Sequence, residues 1–432
     1  MTAQKGPVSD VSRKRRILWI IVSAALMMSL ISCYAHRGDS ALTMRGGDDQ
    51  AYHELALRIM NHQDYGTTHW VPGYPCFVAA VFAVAGEHRV AVYVVQSILF
   101  AITLLVLYKI ALLVFESQSH AIWSVALAAA WPEFYRYVSL MSSEMLSGLL
   151  LAITVWLLLL CIAKPTGRRC VALGIMVALA SLVKSTILPY TLVCAALIAL
   201  GNKVTLKRCA LGLLTLVVAC AVVSPWAIRN YRIYHAFIPM TINTGWVLYQ
   251  GFCPGFFDSR IDLTPEHFKS PFAGAVHTTA TRIVGKTELE VDRMYERLAM
   301  RYIKQNPVRD LDYMGRKFGT LWLAGLGMNP ASQTTPMRSI GRFGIPKRSL
   351  VALPAFILSV AGVIMLPCRL RRRSLPIVIL VIMWTVIYVC TYSNSRYAVP
   401  VQAYILMCAS VPICRVAGRR SADESVDVQN AV

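Results

Sequence analysis

Two successive carboxylates, Asp48 and Asp49, follow Gly46-Gly47 and open a stretch to His62 in which Leu55, Ile59 and Met60 are apolar among polar neighbours. A third acid, Glu144, ends the segment Leu140-Met141-Ser142-Ser143-Glu144 and heads a long run that holds no other charge. Three cations stand in equally unexpected places. Lys184 interrupts the apolar stretch Val171 to Leu200, Arg229 follows Ser224-Pro225-Trp226, and Arg396 lies in Ser393-Asn394-Ser395-Arg396-Tyr397. Two carboxylates that face one cleft do group-transfer chemistry, one accepting a proton and the other orienting a substrate. Cations beside them hold an anion such as a phosphate. Each residue also has a plainer role. Asp48 and Asp49 suit the positive end of a helix, Glu144 can reach water from a helix end, and Lys184 can anchor a helix at an interface. The choice rests on whether the fold gathers them on one face.

The elements that must position them are membrane helices. Of the 432 residues, 56% are hydrophobic, and the mean hydropathy of +0.54 exceeds what a soluble core needs. Runs such as Val90 to Phe115 and Glu144 to Ala163 are long enough to cross about 30 Å of hydrocarbon and lack the polar stripe of a water-soluble helix. The net charge of +21 is concentrated in short segments between such runs: Arg13 to Arg16, Lys164 with Arg168-Arg169, Lys203 with Lys207-Arg208, Arg369 with Arg371 to Arg373, and Arg415 with Arg419-Arg420. That is the distribution of cytoplasmic loops. Threading the apolar runs between these markers gives about ten spans: 17–35, 89–115, 119–138, 144–163, 170–184, 186–201, 208–227, 349–367, 375–392 and 397–414.

The threading divides the chain into a cytoplasmic tail (1–16), an N-terminal transmembrane module (17–228) with an outer loop (36–88), an extracytoplasmic region with helices (229–348), C-terminal spans (349–414) and a second cytoplasmic tail (415–432), disordered after Arg420. Within the first outer loop, Asp48 to His62 reads as an interfacial helix. Val71 to Gly86, short for a span and opened by Pro72 and Pro75, reads as a helix lying beside the membrane. In the second outer region, helices are expected from Glu288 to Gln305, stopped by Asn306-Pro307, and around Val308 to Leu323, with a mobile loop from Asn329 to Pro346. Asp48, Asp49, Glu144, Lys184, Arg229 and Arg396 then all fall at the outer face.

Several classes drop out. The basic residues form no continuous face for a nucleic-acid backbone. No GxxxxGK[ST] or GxGxxG occurs, so no nucleotide loop is expected. The 12 cysteines are scattered, without zinc spacing, and read as small buried hydrophobes. The first apolar run, Ile17 to Ala35, is read as a retained span although Leu30-Ile31-Ser32-Cys33 has the form of a lipoprotein cleavage site.

Four stretches, in order, resemble the bacterial members of glycosyltransferase family 39, relatives of the dolichyl-phosphate-mannose protein mannosyltransferases and the lipid A aminoarabinose transferases. They are GGDDQAYHELALRIMNHQDY with HWVPGYPCFVAAVFAVAG, SLMSSEML, SPWAIRNYRIYHAFIPMTINTGWVLYQGFCP, and SNSRYAVPVQAYILM. The resemblance implies an all-α C-type glycosyltransferase fold with a lipid site among the spans and a cleft at the outer face. It matches Asp48 to the family's catalytic base, Asp49 to its neighbouring acid, Glu144 to the acid of the second outer loop, and Arg396, with Tyr397, to the motif near the lipid phosphate. Tyr52 is the tyrosine four residues beyond Asp48. Two departures stand out. His69 occupies a place where relatives often carry an acidic or other polar residue, and Lys184-Ser185 replaces a common Arg-Pro.

What the resemblance implies as chemistry is inverting transfer of a sugar from a polyprenyl phosphate to an acceptor hydroxyl, with Asp48 as base and Lys184, Arg229 and Arg396 on the leaving phosphate. The donor is a substrate, and no cofactor or metal is expected. A polytopic lipid or solute transporter shares the composition, although transporters place substrate near mid-membrane and show internal repeats. A glycan ligase or polymerase using a pyrophosphate-linked donor needs a similar outer-face site.

Overall fold

The computed structural model describes residues 7–36, 48–201, 203–252, 286–323, 339–340, 345–346 and 349–430. The chain is a multi-pass membrane protein, and its described residues are almost wholly helical. Its helices are α1 (Pro7–Ala35), α2 (Asp48–Met60), α3 (Gly73–Ala85), α4 (Arg89–Phe115), α5 (Gln118–Ala129), α6 (Pro132–Val138), α7 (Glu144–Ala163), α8 (Gly167–Val183), α9 (Tyr190–Leu200) and α10 (Leu206–Tyr234). The second outer region holds α11 (Thr244–Phe252), α12 (Glu288–Gln305) and α13 (Pro307–Trp322). The chain then continues with α14 (Ser349–Met365), α15 (Cys368–Val389) and α16 (Val399–Asn430). A two-residue antiparallel ladder pairs Ser339–Ile340 with Ile345–Pro346.

Among the described residues, six segments are long and apolar enough to cross a membrane as single helices: Ser12–Ala35, Arg89–Phe115, Glu144–Ala163, Leu206–Tyr234, Cys368–Val389 and Ser395–Val416. Shorter apolar helices, among them α9 and α14, supply other expected passes. The run 119–138 is not one helix. Pro132 sits at the first position of α6, and Trp131 before it is extended, so the run divides into α5 and α6. At the N-terminus helix begins at Pro7 and runs through the Arg13 to Arg16 cluster, since Lys and Arg are good helix formers. The tail expected to be disordered after Arg420 is helical to Asn430, because no breaker follows Gly418. The loop expected over 329–346 lies outside the described residues apart from the two-residue strands.

The two ends of the bundle differ in charge. At one end basic side chains close helix C-termini: Arg169 donates to the Lys164 carbonyl, and Arg208 donates to the carbonyls of Ile162 and Ile198. Arg369 and Arg373 meet Glu116 there. Cations at these carbonyls complement the helix dipole. At the other end stand the starts of α2 and α7, the end of α8 and the turn before α16. These carry the residues singled out from the sequence.

Buried polar contacts fix that second end. The Tyr74 hydroxyl donates to Gln96 Oε1 (2.8 Å), and Gln96 Nε2 donates to the carbonyls of Val138 (2.9 Å) and Leu140 (2.8 Å). A buried amide satisfied in this way pins the loop leading to Glu144. Gly73 permits a close crossing, for a Cβ there would lie 2.6 Å from the Leu182 carbonyl oxygen, next to the end of α8.

Candidate active site

Arg396 is the centre of the site. Asn394 caps the turn Ser395–Ala398 by accepting from the Arg396 N–H, which turns the guanidinium back toward α2 and α7. Arg396 Nη1 donates to Asp48 Oδ2 at 2.6 Å and Nε donates to Glu144 Oε1 at 2.7 Å. Lys184, which closes α8, donates to the same Glu144 oxygen at 3.2 Å. Two acids and two cations, separated by up to 348 residues in the chain, thus form one charge-balanced group.

The two carboxylates differ in environment. Glu144 is fully buried, and its second oxygen, Oε2, accepts no hydrogen bond of good geometry. Asp48 is less enclosed, and its side chain keeps 39% of its accessibility. Trp70 Nε1 donates to Asp48 Oδ1 at 3.2 Å. Burial alone would push the Asp48 carboxyl up; the Arg396 guanidinium and the indole N–H outweigh it and hold the carboxyl below its ordinary value.

Asp49 points away from this pair. It accepts from Arg89 (2.8 Å) and from the Met141 N–H (3.2 Å), and so ties α2 to the loop before Glu144. Burial raises its carboxyl, with Arg89 opposing. The adjacent acids therefore face different partners, and Asp48 alone of the two meets Arg396.

Aromatic rings wall the group. Tyr52 is buried edge-on to Tyr74 at 4.7 Å, and burial, aided by the Asp48 charge, raises its hydroxyl so that it stays protonated. Tyr397 stacks on Tyr388 at 4.6 Å, and Lys184 Nζ lies 5.2 Å from the Tyr397 ring centre. His69 lies edge-on to Trp70 at 4.4 Å, and burial lowers its imidazole although Glu288 and Asp48 oppose the shift. Its surroundings favour the neutral imidazole.

Of the three outer cations, the structure brings Lys184 and Arg396 together. Arg229 lies with other partners. Its Nη1 donates to Thr68 Oγ1 (2.8 Å) and Asn230 Oδ1 (3.1 Å), and its guanidinium lies 4.7 Å from the Trp226 ring centre. Arg229 thereby holds the residue next to His69.

The sequence reading singled out neither Trp70 nor Glu288 for this site. Glu288, at the start of α12, accepts from Thr67 Oγ1 (2.5 Å), the Thr68 N–H (2.9 Å) and the Tyr234 hydroxyl (2.7 Å). Its sequence signal is that of a helix start, Thr287-Glu288-Leu289-Glu290, in which Thr287 and Glu290 form the capping box and an acid in the first turn suits the helix dipole. Nothing local announces a clamp on a segment 220 residues away. Among the described residues no three His, Cys, Asp or Glu side chains come together as a metal-ligand set. The Arg396 guanidinium stands between Asp48 and Glu144.

Residues 69–228 match the family model described as dolichyl-phosphate-mannose-protein mannosyltransferase. No curated sequence matches the chain significantly. Among solved structures, the Archaeoglobus fulgidus oligosaccharyltransferase, in complex with zinc and sulfate, is similar at a TM-score of 0.53 and 15% identity over 95% of this chain. The chain spans about half the length of that enzyme, 51% of it being covered. ArnT from Cupriavidus metallidurans, bound to undecaprenyl phosphate, aligns at a TM-score of 0.40 and 15% identity over 91% of this chain and 77% of its own. The family match contains His69, Glu144 and Lys184 and stops just before Arg229; Asp48, Asp49 and Arg396 lie outside it. The resemblance read from the motifs is borne out: the chain has the C-type glycosyltransferase fold, and its residues 69–228 carry the pattern of the dolichyl-phosphate-mannose-protein mannosyltransferase family.

Proposed function

We propose that the protein is a membrane glycosyltransferase that moves a sugar from a polyprenyl-phosphate donor to an acceptor hydroxyl on the extracytoplasmic face, with inversion. The observation that carries this reading is the bridge made by Arg396 between Asp48 and Glu144, with Lys184 on the same Glu144 oxygen. The arrangement provides an exposed carboxylate beside two cations at the end of the bundle opposite the basic helix C-termini. Under the positive-inside rule that end faces away from the cytoplasm of a plasma (inner) membrane, with both termini cytoplasmic. A transporter reading accounts less well for acids and cations gathered at one end rather than mid-membrane.

The chemistry follows from the charges. The donor phosphate enters a group that is already neutral, so it competes with the carboxylates for Arg396 and Lys184. As the phosphate takes a guanidinium N–H, Asp48 Oδ2 is released to meet the acceptor while Trp70 keeps Oδ1 in place. The acceptor oxygen attacks the anomeric carbon from the face opposite the phosphate. The bond from that carbon to the phosphate oxygen breaks, and the hydroxyl proton passes to Asp48. Charge grows on the departing polyprenyl phosphate, where Arg396 and Lys184 stabilise it; preplaced donors of this kind contribute about 3–4 kcal/mol each in water-poor sites. A carboxylate held below its ordinary pKa is a weak base, which suits a transition state in which the sugar carbon is already cationic and the proton leaves late.

The test is reconstitution of the purified protein in lipid with a panel of labelled sugars on polyprenyl monophosphate, polyprenyl pyrophosphate and nucleotide carriers. Consumption of monophosphate donors alone supports the proposal. Consumption confined to pyrophosphate donors overturns it in favour of a glycan ligase or polymerase.

A further inference from the structure

A second charged surface lies on α12, apart from the Asp48 cluster. Arg293, Arg297, Arg301 and Lys304 recur at helical spacing, with Glu296 as the one acid among them, and together with Met300 these residues line an open cavity of about 620 Å³. None of the four cations is ion-paired among the described residues. The opposite face of α12 is fixed. Asp292 accepts from the N–H groups of Gly245 and Trp246 at the start of α11. Tyr295 packs edge-on to Trp246 at 4.9 Å. The basic row is therefore a permanent outward face, held by the inner one.

Both ends of α12 adjoin exposed apolar side chains. At its start, Glu288 is bonded to Tyr234 at the end of α10, and Phe237 just beyond is 81% exposed. At its finish, Asn306-Pro307 turns directly into α13, where Val308 (80%) and Leu311 (69%) are exposed. The far part of α13 reaches the bundle: Trp322 Nε1 donates to Thr385 of α15, and Phe318 packs edge-on to Phe356 of α14. A cationic helix set between two exposed apolar anchors, and continued by a helix that docks on the spans, has the composition of an element lying at a lipid head-group layer.

We propose that Arg293, Arg297, Arg301 and Lys304 form a binding surface for the phosphate head groups of anionic phospholipids in the leaflet that faces the site. The surface goes beyond the transfer reaction and does not depend on which sugar is moved.

The test compares wild type with the triple variant Arg293→Gln, Arg297→Gln, Arg301→Gln, each reconstituted in vesicles of equal phosphatidylcholine and phosphatidylglycerol. Each is then extracted in mild detergent, and the retained lipid is read by native mass spectrometry. The cytoplasmic basic clusters are identical in both proteins, so the difference between the two reports the α12 surface alone. The expected result is a several-fold loss of phosphatidylglycerol enrichment in the variant. A single Arg168→Gln variant, altered at the opposite end, should keep the wild-type enrichment at α12-dependent level. Equal enrichment in wild type and triple variant overturns the proposal. So does a loss confined to binding of a soluble polyphosphate probe, which would assign the surface to a water-borne polyanion. Unchanged thermal unfolding of the triple variant, as expected for exposed positions, establishes that it is folded.

Discussion

Arg396→Gln should do two separable things. The first concerns stability. Glu144 is fully buried, and the substitution leaves it with Lys184 at 3.2 Å as its remaining cation. Removing one member of a buried pair costs about 3–5 kcal/mol; the retained lysine and the partial exposure of Asp48 bring the expectation down to about 2–3 kcal/mol. The second concerns the reaction. Loss of a preplaced donor to the leaving phosphate should slow donor consumption by about 100–1,000-fold. Arg396→Lys keeps the charge but not the fork that reaches both acids, so it should fall between. The pH profile separates these effects. In the wild type the guanidinium and Trp70 overcome burial and hold Asp48 below its ordinary value. Its ionised form then contributes stability above the unfolded pKa, lost as pH falls through the lower folded one. Without Arg396 burial dominates, so Asp48 titrates higher and the acid limb of the pH–rate profile moves to higher pH. Initial rates across pH, with thermal unfolding in the same lipid, provide the measurement. A variant that turns over at the wild-type rate, or whose acid limb stays in place, would refute the pairing of Arg396 with Asp48.

Other substitutions follow from the same contacts. Glu144→Gln removes the charge that both Lys184 and Arg396 answer, and kcat for donor consumption should fall by about 100-fold or more while the protein stays folded. Glu288→Ala leaves Thr67, Thr68 and Tyr234 without their shared acceptor, and unfolding should be easier by about 3 kcal/mol. Glu288→Gln should recover part of that in a thermal melt. Asp49→Asn weakens the tie between α2 and the Met141 loop, so it should reduce the rate by about 10-fold without moving the acid limb that Asp48 sets. Chelation with EDTA tests the expected metal independence: unchanged turnover agrees with Arg396 as the bridge between Asp48 and Glu144, and loss of turnover that added metal restores contradicts it.

The helices, and the gathering of these polar residues at one end of the bundle, were legible because membrane segments obey one strong rule. Charge is expensive inside the bilayer, so Lys184, Glu144 and Arg396 had to stand at helix ends, and the basic clusters fixed which ends. The interfacial helices from Asp48 and Gly73 followed from parity and length. The break at Trp131-Pro132 was also written in the sequence, but a hydrophobic run masked it. Pairing was less legible. Which of two adjacent acids meets Arg396 depends on the rotation of α2, set by Arg89 and the Met141 N–H. Arg229 looked like Lys184 by charge and position, yet Thr68, Asn230 and the Trp226 ring hold it elsewhere. Glu288 was legible as the start of a helix and illegible as a clamp, because its partners belong to the first outer loop and to α10.

The most direct test of the central claim is donor consumption by Asp48→Asn against wild type, in lipid, with labelled polyprenyl-phosphate sugars. The substitution keeps the size of the side chain and an acceptor for Trp70 Nε1 while removing the charge and the capacity to take a proton. Consumption by the wild type and none above background by a folded Asp48→Asn is the predicted result. Turnover by Asp48→Asn within a few fold of wild type would contradict the assignment of Asp48 as the base.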